Sequence, residues 1–235
     1  ERTYQKMFGA YTAILQRMEL EFRAVQADTG SIGGNASIEF HVLAESGEDI
    51  IAFSTDSDYA ANIEMAEALT PTQIDEELCD PEIFETPRVK TIEQLCDFTG
   101  MSPDRTVKTL IARGTDSKLV ALVLRGDHQL NPIKAGKLPG VASPLNLADE
   151  TEIKTIIGAG LGSIGPQGLS IPVLVDRSAS TMKNFTAGAN KTDFHMRNLN
   201  WEADVNVTSI CDLREIEEGD PSPDGMGTIQ LKRGI

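Results

Sequence analysis

Six residues of this chain join a possible chemistry to an awkward setting. Lys108 lies in the run Thr106 to Ala112, which alternates like a strand and puts Lys108 on the face of Leu110 and Ala112. A cation there is costly without a partner. It either awaits a phosphate or ribose hydroxyl, or snorkels or salt-bridges. Asp176 closes the apolar run Ile171-Pro172-Val173-Leu174-Val175. A carboxylate at the end of an inner strand can line a site, and can equally cap a turn or pair with Arg177 or Lys108. The stretch Gly158 to Pro166, which contains Gly162, Ser163 and Gly165, bares backbone N–H groups that could cradle an anion or a developing oxyanion. It also reads as a plain turn. His195 follows Gly188-Ala189-Asn190 and is either a site group or a structural histidine.

Other chemistries find less support. No Gly-Lys-Ser/Thr follows the glycine stretch, and a helical pattern precedes it, so it is neither a Walker loop nor a dinucleotide fingerprint. A Gly-x-Ser-x-Gly elbow is missing. The three cysteines, Cys79, Cys96 and Cys211, and the three histidines, His41, His128 and His195, are scattered. They give neither a disulfide framework nor a metal motif, and a reducing cytoplasm fits them best. Arg125-Gly126-Asp127-His128 with Asn131 reads as a structural polar turn.

The elements that must hold these residues follow from periodicity. Residues 3 to 18 place Tyr4, Met7, Phe8, Tyr11, Ile14, Leu15 and Met18 at helical spacing. Strands are expected at Phe22 to Val25, Glu39 to Ala44 and Ile50 to Phe53, with a flexible loop over Asp28 to Asn35. A short helix is expected over Ala60 to Leu69, then an acidic, proline-punctuated linker to residue 90. Beyond it come a helix ending at Gly100, a helix start at Ser102-Pro103, and paired strands Thr106 to Ala112 and Leu119 to Leu124 around Gly114 to Ser117. Helices at Asn131 to Lys137 and Asp149 to Ile157, and strands at Ile171 to Val175, Asn184 to Ala187, Phe194 to Leu199 and Gly227 to Arg233 complete the pattern. The domains expected are 1–60, a linker 61–90, a second domain 91–216, and a return over 217–235.

With 40% hydrophobic residues the chain can bury a core, and no apolar run is long enough for a membrane helix. The start at Glu1 resembles no signal peptide and suggests a piece of a longer polypeptide. A formal charge of −15 argues against a broad nucleic-acid-coating face, since phosphate binding rests on Lys and Arg, but it allows a small basic pocket that grips one RNA end.

Longer motifs bring a family into view. Phe22 to Gly34, Glu45 to Asp49 and Ser57 to Asn62 resemble the segment after motif 2 of bacterial-type prolyl-tRNA synthetases, a class II family. Gly219 to Gly225 with Lys232-Arg233-Gly234-Ile235 resembles the return into the same catalytic core. The middle, about 65 to 215, is similar to the editing insertion placed between those segments, a relative of freestanding aminoacyl-tRNA deacylases. Thr106 to Leu110 matches that family's lysine motif, Gly162 to Pro166 its glycine loop, Val175-Asp176-Arg177 its aspartate, and Gly188-Ala189-Asn190 with His195 its Gly-Ala-Asn…His element.

The resemblance implies an α/β fold: a mixed, largely antiparallel curved sheet with surrounding helices in the insertion, beside a partial class II antiparallel sheet. It implies hydrolysis of mischarged Ala-tRNA(Pro) in cis, with Lys108, Asp176, Gly162 and His195 as catalytic residues, and Ser163 and Gly165 joining them in substrate binding. The partners implied are the tRNA(Pro) acceptor end and the alanine moiety. For the full cytoplasmic enzyme, a homodimer, they are also proline and ATP with Mg. Editing itself is expected to need no cofactor. Ile38 stands where relatives often carry histidine, and Ser222 and Gly225 stand where some carry zinc-binding cysteines, so no zinc is expected. A noncatalytic acceptor-positioning insertion and a deacylase of Cys-tRNA(Pro) are the alternatives.

Overall fold

The computed structural model describes residues 2–27, 37–73, 75–115 and 118–235. The loop expected over Asp28 to Asn35, and Asp116 and Ser117 of the expected turn, lie outside them. The chain forms two compact units, Glu1–Ala68 with Glu215–Ile235, and Leu69–Arg214.

The first unit opens with helix α1 (Arg2–Arg17), then strands β1 (Phe22–Ala27), β2 (Ser37–Val42), β3 (Asp49–Ser54) and β4 (Ala60–Asn62). The chain's last strand, Ile229–Gly234, returns to the same sheet beside β3. Strand β4 corrects an expectation. The alanine-rich segment from Ala60 was expected to be helical, but its first residues instead pair with β3 (Ala52↔Ala61) and β1 (Gln26↔Ala61). Ala60 and Ala61 are buried there, and tertiary burial outweighs alanine's helix preference.

The second unit contains β5 (Glu82–Glu85), α2 (Ile92–Thr99), β6 (Val107–Arg113), β7 (Leu119–Arg125), α3 (Pro132–Gly136), α4 (Glu150–Ile157) and β8 (Val173–Asp176). It continues through α5 (Arg177–Ser180), β9 (Phe185–Gly188), β10 (Phe194–Leu199), α6 (Trp201–Asp204) and β11 (Ser209–Cys211). It is a mixed α/β fold with several sheets and short helices. One sheet runs β11-β8-β7-β6, antiparallel between β6 and β7 and parallel elsewhere. The other runs β5-β10-β9 and is antiparallel throughout. A parallel bridge, Thr106↔Thr186, joins β6 to β9. Strand β5 lies inside the segment expected to be linker. It forms because Phe84 lies opposite His195 and the carboxylate of Glu82 meets Arg197 across the pair.

The β6–β8 sheet is apolar on both faces, as inner strands must be. Val107, Ile111, Ala121, Val123, Val173 and Val175 join one core cluster, which continues through Phe185, Ala187 and Leu199. Ala112, Val120, Leu122, Leu124 and Leu174 face a second, with Ala135 of α3. Phe185, fully buried, stacks on Trp201 with ring centroids 4.4 Å apart, and the indole N–H donates to the Ala179 carbonyl at 2.8 Å. Among the described residues no helix is long and apolar enough to cross a membrane.

Candidate functional site

The glycine stretch begins where α4 stops, with Gly158 as its left-handed cap. Gly162 sits at φ +90°, and a Cβ on it would collide with the backbone of Lys90. Both conditions admit only glycine. Three residues on, the backbone packs against β9 so closely that a Cβ on Gly165 would strike the Gly188 carbonyl, and one on Gly188 would strike Ser163 and Ile164. Two backbones thus touch where side chains would hold them apart.

Side chains lace this contact together. Asn190, itself left-handed at φ 53°, accepts from the Gly165 N–H at 2.9 Å and donates from Nδ2 to the Gln167 carbonyl at 2.7 Å. Its backbone N–H donates to the Ser163 carbonyl at 2.9 Å. Gln167 Nε2 donates to the Gly188 carbonyl at 2.7 Å, and the Asp193 N–H donates to Ser163 Oγ at 3.1 Å. The N–H groups of Ser163 and Gly165 are therefore taken, the former by the Gly160 carbonyl. Within Gly162 to Gly165, those of Gly162 and Ile164 meet no protein acceptor among the described residues.

His195 projects from β10 opposite Gly188 and is 4% exposed. Its Nδ1 lies 2.6 Å from Thr86 Oγ1, and its ring also hydrogen-bonds the Gly162 backbone. Burial pulls its pKa below the usual value, against the Gly162 bond that favours the proton. A neutral ring satisfies both partners if Nε2–H donates to the Gly162 carbonyl and the Thr86 hydroxyl donates to Nδ1. With both nitrogens engaged, His195 fixes Gly162 rather than offering a base.

Lys108 is half-buried on β6, and its Nζ donates to the Gly126 carbonyl at 3.1 Å. The Thr106↔Thr186 bridge sets the start of β6, two residues before Lys108, beside β9, the strand that ends at Gly188 opposite His195. Asp176 goes elsewhere. It is fully buried at the end of β8 and caps α5: Oδ1 accepts from Ser178 N at 2.9 Å and Oδ2 from Leu213 N at 2.9 Å. Buried Leu124 of β7 stands between the rows of Lys108 and Asp176. Three strand spacings separate Asp176 from Gly188, roughly 14 Å. The structure thus brings together Gly162, Ser163, Gly165 and His195, with Lys108 on the adjoining strand, and leaves Asp176 apart.

Asp176 belongs to a second polar centre. There the Lys134 ammonium meets Asp212 at 2.8 Å, Arg214 Nε donates to Ser178 Oγ at 3.1 Å, and Arg125 Nη2 lies 2.8 Å from His128 Nε2. Burial first, then Arg214 and Arg125, push the His128 pKa down to about 4. Desolvation also lowers that of Lys134, although Asp212 opposes it.

Sequence reasoning passed over Thr86, Gln167 and Asp193. Thr86 lay in presumed linker, and nothing in its neighbourhood marks a partner 109 positions away. Among the described residues no three His, Cys, Asp or Glu side chains converge so as to hold a metal ion. A groove of about 700 Å³, lined by Met182, Trp201, Val205 and Ile210 among others, includes none of the glycine-loop residues.

Residues 86–204 match the family model described as the aminoacyl-tRNA editing domain. Among solved structures, one described as a candidate trans-editing enzyme for prolyl-tRNA synthetase is 21% identical, with a TM-score of 0.50 over 58% of this chain and 87% of that one. A scaffold used for computational epitope grafting is 19% identical, with a TM-score of 0.50 over 58% of this chain and 88% of its own. The hypothetical protein APE2540 is 23% identical, with a TM-score of 0.48 over 58% and 92%. At these identities the likenesses with a TM-score of 0.50 speak to the fold.

Proposed function

The chain belongs to the aminoacyl-tRNA editing domain family, and on that footing we propose that its second unit hydrolyses mischarged Ala-tRNA(Pro). In this reading it acts in cis, as the editing insertion of a bacterial-type prolyl-tRNA synthetase. The observation that carries the reading is the glycine loop locked onto Gly188 and Asn190, with His195 behind Gly162 and Lys108 on the next strand. The resemblance of residues 22–62 and 219–235 to a class II catalytic core supports the cis arrangement. ATP with Mg, proline and a second protomer then serve ligation in the full enzyme.

A second site is needed because alanine is smaller than proline. A synthetic pocket shaped for the ring cannot exclude it by sterics, and a missing methylene is worth only about 1–3 kcal/mol of discrimination. A tighter cavity that admits a methyl group and rejects a five-membered ring supplies the rest. The N–H groups of Gly162 and Ile164 are donors suited to the charge that builds on the ester oxygen. Lys108 anchors the 3′-terminal nucleotide through a phosphate or ribose hydroxyl, and His195 keeps Gly162 in place. A water oxygen attacks the ester carbon, the carbon–oxygen bond to the ribose breaks, and the ribose oxygen takes up a proton. The products are free alanine and tRNA with its terminal hydroxyl restored. The neighbouring ribose hydroxyl assists the water, since the His195 ring is already engaged by Thr86 and the Gly162 backbone. Asp176 acts at a distance, by tying the end of β8 to the start of α5 and to Leu213 after β11.

Deacylation of alanyl-, cysteinyl- and prolyl-tRNA(Pro) by the chain tests the assignment. Release of alanine alone is expected. Cysteine release in preference to alanine would reassign the substrate, and no release from any of the three would leave an acceptor-positioning insertion.

A further inference from the structure

Arg88, Lys90 and Lys191 lie on the two loops that flank the glycine loop, and all three are exposed. Each loop is tied to the site. The Cα of Lys90 abuts Gly162, the Arg88 N–H donates to Asp193 Oδ1 at 3.0 Å, and Asp193 in turn donates to Ser163. Lys191 follows Asn190 directly, and its ammonium stands 3.6 Å over the Phe194 ring. The backbone here is held with some strain. Arg88, Asn190 and Asp193 have φ of 65°, 53° and 63°, a region non-glycine residues seldom occupy.

Among the described residues these cations carry no ion pair, although the Lys191 ammonium rests on the Phe194 ring. Elsewhere in this unit Arg105, Arg113, Arg125, Lys134, Lys183 and Arg197 are each tied to a carboxylate. Among the described residues none of the head groups of Arg88, Lys90 and Lys191 is ion-paired. The nearest acid in the weave, Asp193, is turned to the Arg88 backbone. In a chain of formal charge −15, three cations without ion pairs stand around one loop, with Glu85, Glu93 and Asp193 on the same segments bound to none of their head groups.

We propose that Arg88, Lys90 and Lys191 form a phosphate clamp that grips the sugar–phosphate backbone of the single-stranded RNA end entering the Gly162 loop. The clamp rests on the editing reading for its ligand, but it is a separate set of residues from Lys108. Backbone contacts of this kind set register and supply affinity without reading sequence. The clamp gives a strongly acidic protein a place beside the glycine loop to hold a polyanion.

The test uses a fluorescently labelled acceptor-stem RNA hairpin with an unpaired 3′ end, titrated with the 235-residue chain and with the Arg88→Ala/Lys90→Ala/Lys191→Ala variant. Kd is read at several salt concentrations. Each lost single-strand phosphate contact should flatten the slope of log K against log salt by about 0.7, so the triple variant should lose about 2. Its Kd at 0.1 M salt should rise by about tenfold or more. The triple Arg88→Lys/Lys90→Arg/Lys191→Arg variant should restore both. An unchanged Kd and slope in the alanine variant would overturn the clamp while leaving hydrolysis intact. A chain that binds the hairpin through these residues but hydrolyses no aminoacyl ester would overturn the editing reading instead.

Discussion

At His195 the proton has nowhere useful to go. One ring nitrogen faces Thr86 Oγ1 and the ring also holds the Gly162 backbone, while burial keeps the pKa below its usual value. With both ring nitrogens engaged, the imidazole is placed to hold Gly162, and a general-base limb from it should be missing from the pH–rate profile. Deacylation by the wild type and by His195→Gln should therefore follow pH–rate profiles of the same shape. His195→Gln, which can still bond the Gly162 carbonyl, should retain more activity than His195→Ala. Equal losses in both variants, with a lost inflection near pH 6.5, would make the ring a base. Lys108, Asp176, the glycine loop and His195 all stood out in the sequence as residue types in unlikely places. What the sequence could not assign was role. Asp176 reads the same whether its oxygens face a substrate or, as here, two backbone N–H groups.

Among the elements, the glycine loop is the one whose shape is most constrained. Gly162→Ala forces a Cβ into the Lys90 backbone at a φ of +90°. The cost is about 1–3 kcal/mol, and relief comes by moving the loop. The variant should remain folded, with a lowered urea midpoint, and lose deacylation by more than its instability explains. A wild-type rate in a folded Gly162→Ala protein would remove the loop from the site. Strands β6, β7, β8 and β10 were readable because each carries a dense apolar or alternating run. Strands β4, β5 and β11 were not. β4 has three residues, too few to show alternation, and β5 becomes a strand through a partner distant in sequence, as Glu82 meets Arg197 115 positions on. Such pairing leaves no local periodicity.

For the molecule as a whole, pH should act through the second polar centre. His128 is 2% exposed and its folded pKa is about 4, against 6.5 unfolded. Between those values the unfolded chain binds a proton that the native chain refuses, so stability falls as pH drops from about 6.5 towards 4. The expected loss is about 3 kcal/mol at 1.36 kcal/mol per unit, and His195 adds in the same direction. Urea unfolding followed by Trp201, the one tryptophan, should show it, with a shallower dependence in His128→Asn. A midpoint independent of pH over that range would contradict the burial argument. Composition gave the acidity and the apolar core, and the motifs gave a first unit resumed by the end of the chain; the segment from Leu69 to Lys90, expected as linker, belongs instead to the second unit, where β10 pairs with β5.

The central claim is that Lys108 and the glycine loop serve one reaction. It is tested most directly by the initial rate of Ala-tRNA(Pro) deacylation in Lys108→Ala beside the wild type, with circular dichroism to confirm the fold. Loss of a positioned cationic donor should lower the rate by about 100-fold or more. A folded Lys108→Ala protein that releases alanine at the wild-type rate would contradict the account.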